Sequence, residues 1–148
     1  MPDVAQPHLH HLAITVTDLD ASVNWYSAVF GIKPMLDVPH EGGLGRLLTT
    51  DDWQLVIALH RHDSNDGGQF AETTTGLDHG GFVVPSRVDL EQWQQHLESN
   101  GVERAERADR PLTQSAISDE PYGSVLVFRD PTISSSRSSP RCPEESPR

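Results

Sequence analysis

The sequence predicts an α+β fold built from two βαβββ modules, the second of them short of its last strand. Three observations carry that prediction. First, "HLAITVTDLDASVNWYSAVFGIKP" and "HGGFVVPSRVDLEQWQQHLESNGVER" share one layout. His11 and His79 are each followed by valine five positions on (Val16, Val84), by tryptophan fourteen positions on (Trp25, Trp93), and then by glycine (Gly31, Gly101). The step from His11 to His79, about 68 residues, is too long for a solenoid repeat and reads as one duplicated module. Second, each copy carries a helical stripe between its strand and its glycine. Third, the runs "IKPMLDVPHE", "GRLLTTDD" and "WQLVIALHRH" read as three further strands of the first copy.

Taken in order, the opening strand alternates. Leu12, Ile14 and Val16 face one way, and His11, Ala13 and Thr15 the other. The first helix begins at Asp18 or Asp20 as cap, lays down Val23, Tyr26, Val29 and Phe30 as its apolar stripe, and stops at Gly31. The three strands follow. "RHDSNDGGQFAETTTG" is too polar and glycine-rich for a strand and forms the longest loop. The second copy repeats the order: "LDHGGFVV" as strand, a helix starting at Asp89 with the stripe Leu90, Trp93 and Leu97 and ending at Asn100-Gly101, then "VERAERAD" and "GSVLVFRD" as strands. The modules run 8–62 and 76–131 within one domain, 8–131. At 148 residues the chain has length for one core. Residues 132–148, "TISSSRSSPRCPEESPR", have the composition of a disordered tail.

A formal net charge of −11 argues against nucleic acid and anionic lipid as partners. A single cysteine, Cys142, gives no disulfide framework and points to a reducing cytoplasm. The start "MPDVAQPHLHH" has no basic and apolar leader pattern, and no apolar run reaches spanning length.

The face opposite the helix carries His11 beside Ala13 and Thr15, and the second copy repeats it with His79, Gly81 and Val83. Two neutral imidazoles at equivalent places suit a transition-metal ion. The plainer alternative for either one is a hydrogen-bonded strand histidine. His8, His10, His40, His60, His62 and His96 have no repeat partner and read as surface or loop residues; His10 points to the opposite face from His11.

At these residues the chain resembles the vicinal oxygen chelate superfamily, which includes glyoxalase I, extradiol dioxygenases, fosfomycin-modifying thiol transferases and bleomycin-binding proteins. "HHLAITVTDLDASVNWYSAVFGIKP", "GLDHGGFVV" and "PYGSVLVFRDP" carry the resemblance. It implies a cupped, half-open mixed sheet of paired βαβββ modules holding a divalent metal (Fe, Mn, Zn or Ni). His11 and His79 match the family's two histidine ligands, and a glutamate on the last strand is its third. That strand is expected after Pro131, where this chain has serines and Arg137; Glu120, Glu144 and Glu145 do not lie at the ligand position. The loss of one base in the Pro131 codon accounts for such an ending, because a consistent choice of codons in the restored frame reads P-D-N-I-Q-L-E-V-F. The alternative is a native Ser/Pro-rich tail. As the chain stands, the metal is expected to be weakly held or absent, and the neighbouring strand to lack a partner.

The resemblance leaves the reaction open. Glyoxalase I has a glutamate ligand where this chain has Ala58. Fosfomycin-modifying relatives have a threonine where Ala13 stands and a cationic pocket, whereas Lys33 is this chain's one lysine. A dioxygenase-like or lyase-like enzyme of a small oxygenated molecule is the expectation, with Tyr122, Ala13 and Thr15 lining the pocket and no catalytic residue assigned. Tyr122 and Glu41 also fit plain turn positions. The competing expectation is a metal-free protein that sequesters small ligands, as bleomycin-binding relatives do. A homodimer is implied by the resemblance.

Overall fold

The computed structural model describes residues 3–132. The first module follows the expected order. β1 (Leu12–Thr15), α1 (Leu19–Phe30), β2 (Lys33–His40), β3 (Gly43–Thr49) and β4 (Val56–His62) form a four-stranded sheet ordered β1-β4-β3-β2 with one helix. β1 runs parallel to β4, so a crossover must join them, and α1 is part of it; the other neighbours are antiparallel.

Local chemistry fixes the helix ends. The Asp18 carboxylate accepts the Ala21 N–H at 3.0 Å, which makes Asp18 the cap. Gly31 takes the left-handed conformation (φ 66°) and donates its N–H to the Ser27 carbonyl at 3.0 Å. One face of α1 then packs Leu19, Val23 and Tyr26 onto Val16, Ile32, Leu48, Ile57 and Leu59. Withdrawing each aliphatic side chain of this core from water contributes about 1.5–3 kcal/mol. Arg46 pairs with Asp37 on β2 and with Asp20 in the first turn of α1, joining helix and sheet at the rim.

β2 is an outer strand with prolines at 34 and 39, and its register against β3 shifts between Pro34 and Leu36. Glu41 and Gly42 (φ 78°) turn the chain into β3.

The second module departs from expectation. Residues 77–84 close no ladder, although Gly80 lies so near β1 that an added Cβ would stand 3.0 Å from Leu12 Cδ2. Gly80 and Gly81 offer no side chains to pack, and Phe82 and Val83 remain 49% and 95% exposed. α2 (Arg87–Ser99) starts earlier than Asp89. Ser86 is its cap, accepting the Asp89 N–H at 3.2 Å. It ends at Asn100-Gly101 as expected, with Gly101 at φ 83°. Leu97 and Trp93 meet Val29, Phe30, Val102 and Phe128 in a second cluster, where His96 Nε2–H donates to the Val29 carbonyl at 2.8 Å.

The remaining strands are short: β5 (Glu103–Arg104) beside β6 (Thr113–Gln114), and the hairpin β7 (Ser118–Glu120) with β8 (Gly123–Val125). "VERAERAD" therefore pairs at two residues only. Its run of charges, followed by Pro111, has little that favours a pleated, half-buried surface. "GSVLVFRD" divides its bonds. Its start pairs with β7, while Ser115 donates to the Val127 carbonyl and Arg129 to the Thr113 carbonyl, each at 2.9 Å. The Tyr26 hydroxyl donates to the Asp130 carboxylate, tying this end of the module back to α1. The expected tail lies beyond the described residues from 133 onward. Among the described residues, no helix is long and apolar enough to cross a membrane.

Candidate functional site

Residues opposite one another in a ladder project to the same side of a sheet, and so do i and i+2 along a strand. Leu12, Ile14, Ile57, Leu59 and Leu48 point toward α1. The other side is the open face. Its rows read Ala13–Ala58–Leu47–Leu36, then Thr15–His60–Gly45–Val38, then His62–Gly43–His40. The floor is small and apolar at one end and carries three histidines at the other. Leu36 and Val38 are 57% and 41% exposed there.

His40, His60 and His62 were expected on surface or in loops; they close the ends of β2 and β4 and converge. One nitrogen of each lies within 4.8 Å of the other two. His60 Nδ1 and His40 Nε2 are 3.3 Å apart, and ring centroids stand 5.1 to 6.1 Å from one another. Glycines make the room. A Cβ on Gly43 would lie 2.6 Å from His40 Cε1, and one on Gly45 2.5 Å from His60 Cε1. Burial pushes the His60 imidazole below its ordinary pKa, and the nearby His40, His62 and His11 push it the same way. The signal was present in the sequence: "HRH" puts His60 and His62 at i and i+2. Neither has a partner in the repeat, so the duplication does not single them out.

His11 lies just before β1, exposed, with its Nδ1 2.9 Å from His10 Nδ1. Ala13 and Thr15 are on the open face. His79 is exposed in the segment 77–84, its Nδ1 2.7 Å from an Asp78 carboxylate oxygen. Tyr122 is 83% exposed at the tip of the β7–β8 hairpin. Among the described residues, no hydrogen bond joins His79 or Tyr122 to His11, Ala13 or Thr15. No Asp, Glu, Cys or further His completes a close group of three with His11 and His79 there either. Among the described residues, the donors thus amount to two members of the set that the resemblance implies.

A curved sheet with a helix on one side and a histidine-bearing open face on the other defines an α+β protein. A profile of the Glyoxalase/Bleomycin resistance protein/Dioxygenase superfamily matches residues 8–132, and the chain belongs to that superfamily. No curated protein matches it. Among solved structures it is similar to the glyoxylase/bleomycin resistance protein/dioxygenase domain from Frankia sp. EAN1pec, at 27% identity and a TM-score of 0.73, with 87% of each chain covered. It is also similar to the glyoxalase family protein from Enterococcus faecalis, at 18% identity and a TM-score of 0.65, over 84% of this chain and 90% of that one. A mutant of the fosfomycin resistance protein FosX from Listeria monocytogenes, complexed with Mn(II) and 1S,2S-dihydroxypropylphosphonic acid, matches at 14% identity and a TM-score of 0.57, over 87% and 88% of the two chains. The last two likenesses concern the fold alone.

Proposed function

We propose that the chain derives from a metal-dependent enzyme of its superfamily, dioxygenase-like or lyase-like, acting on a small oxygenated molecule. His11 and His79 are its remaining metal ligands, and turnover is impaired because the carboxylate ligand of the last strand is missing. The supporting observation is the open face of Ala13 and Thr15, which the β1–β4 register aligns with Ala58 and His60, with His11 just before β1 and near His60. When bound, a divalent ion of this kind supplies charge stabilisation to substrate oxygens. What this chain's own residues contribute is the small apolar floor of Ala13, Ala58 and Leu47.

The experiment compares the chain with one in which the shifted frame after Pro131 is restored. The restored chain is expected to gain metal in near-stoichiometric amount by elemental analysis, and to lose that increment in His11→Ala or His79→Ala. No gain on restoration defeats the reading, and so does a gene whose codons are incompatible with the shifted frame.

A second reading is favoured by Leu36 and Val38, which extend the apolar floor to the sheet's edge: metal-free binding of an apolar or aromatic small molecule. Calorimetric titration of metal-free protein with aromatic ligands distinguishes it from the first. Either activity fits a homodimer that holds its ligand between subunits, which sedimentation tests.

A further inference from the structure

We propose that His40, His60 and His62 form a second metal site, taking a borderline transition ion of the Zn²⁺ or Ni²⁺ class. Its three ligands include neither His11 nor His79, although His11 stands near His60. The backbone register creates it. Gly43 pairs with His40 on one side and His62 on the other, and Gly45 pairs with His60 one row along. All three imidazoles therefore rise from one side of the sheet over two residues without side chains.

The distances suit an ion. Ligand nitrogens on a tetrahedral Zn²⁺ at 2.0–2.1 Å are roughly 3.3 Å apart. His60 Nδ1 and His40 Nε2 already stand at 3.3 Å, and small rotations of the exposed His62 ring bring in the third donor. His40 is also oriented. Its Nδ1 lies 3.1 Å from the Glu41 carbonyl, which can only accept, so the proton sits on Nδ1 and the Nε2 lone pair faces the site. Without an ion, His60 Nδ1–H donates to His40 Nε2 across the same gap.

Donor type sets the ligand class. Three imidazoles with no carboxylate favour Zn²⁺, Ni²⁺, Co²⁺ or Cu²⁺ over Mg²⁺, Ca²⁺ or Mn²⁺, which prefer oxygen. The exposed side of His62 leaves the fourth position to water, the open arrangement of three-histidine zinc centres.

The test uses the full chain, stripped of metal and titrated with Co²⁺ alone, then with Zn²⁺ in competition. One equivalent of Co²⁺ is expected to give visible absorption of a four- or five-coordinate ion, abolished by Zn²⁺. His62→Ala and His40→Ala are each expected to weaken Zn²⁺ binding about tenfold or more, on the scale set by perturbing zinc ligand shells. Both substituted histidines are at the ends of strands, and circular dichroism verifies that each variant is folded. Should His40→Ala lose its fold, His62→Ala alone decides. Zn²⁺ raising the thermal midpoint of the native chain but not of His62→Ala is the second readout. Failure to bind Co²⁺ or Zn²⁺ at micromolar concentration overturns the site, as does undiminished binding by folded His62→Ala. Neither result touches the frame-restoration experiment, whose increment depends on His11 and His79.

Discussion

Tyr26 and Asp130 set the terms at the scale of single residues. The phenol is 5% exposed and its hydroxyl donates to a half-buried carboxylate from the far end of the second module. Burial pushes the phenol's pKa upward, and the Asp130 charge and hydrogen bond push it further. The unfolded chain therefore gives up this proton first, near pH ~10. Stability from the pair is full below that pH and is lost as pH climbs toward the folded value. Tyr26→Phe is expected to cost about 1–3 kcal/mol at neutral pH, because Asp130 Oδ2 loses its donor while Thr132 continues to serve Oδ1. The same variant should show a flatter loss of stability above pH ~10. Urea unfolding across pH 7 to pH ~11 measures both. A Tyr26→Phe chain as stable as the parent would leave Tyr26 as packing alone.

At the scale of elements, the β2–β3–β4 meander does most to position the histidines. Gly43 is there for space: a Cβ would stand 2.2 Å from the Arg61 carbonyl oxygen, a backbone atom that cannot move aside alone. Gly43→Ala is expected to destabilise the chain by about 1–3 kcal/mol through overpacking, read from the denaturant midpoint. A neutral effect would mean that the hairpin shifts freely and does not fix His40. The helices were legible because their signals are local: Asp18, Gly31 and the stripe at Val23 and Tyr26 name both ends and the buried face of α1. α2 was read with its start displaced, since Asp89 looks like a cap until the Ser86 hydroxyl is seen to accept its N–H. Of the histidine cluster, the His60–His62 pair was legible at i and i+2, but its meeting with His40 was not. It depends on a hairpin closing at His40↔Gly43 and on β4 lying at Gly43↔His62, a register that composition does not announce.

Across the whole molecule the two modules are unequal. The alternation in β1 and the apolar runs of β3 and β4 predicted the first sheet. The same repeat logic predicted strands in the second, where Gly80-Gly81, Pro111 and Pro121 interrupt the chain and the ladders shrink to two or three residues. Sequence equivalence was carried by His79, Val84 and Trp93, which mark position in the repeat without supplying ladder bonds. Unequal stability follows. Amides in β3 and β4 are expected to exchange with solvent at least about a hundredfold more slowly than those of the β7–β8 hairpin, as buried ladders open less often than exposed ones. Hydrogen exchange by mass spectrometry resolves the two regions. Equal protection would mean that the chain opens as one cooperative unit.

The kink in β2 has a consequence for assembly. Proline has no N–H to give a neighbouring strand, so each proline must sit where that donor would point away from β3. Pro34 and Pro39 are five residues apart, an odd step that would aim one nitrogen inward along an unbroken ladder. The shift between Pro34 and Leu36 resets the parity, pairing the two prolines with Leu48 and Leu44, which are equivalent places on β3. Both missing donors then fall on the outer rim. A second copy that tried to extend the sheet there would find gaps in the hydrogen-bonding template, which discourages fibre-like stacking along this border. The faces of the fold carry no such gaps.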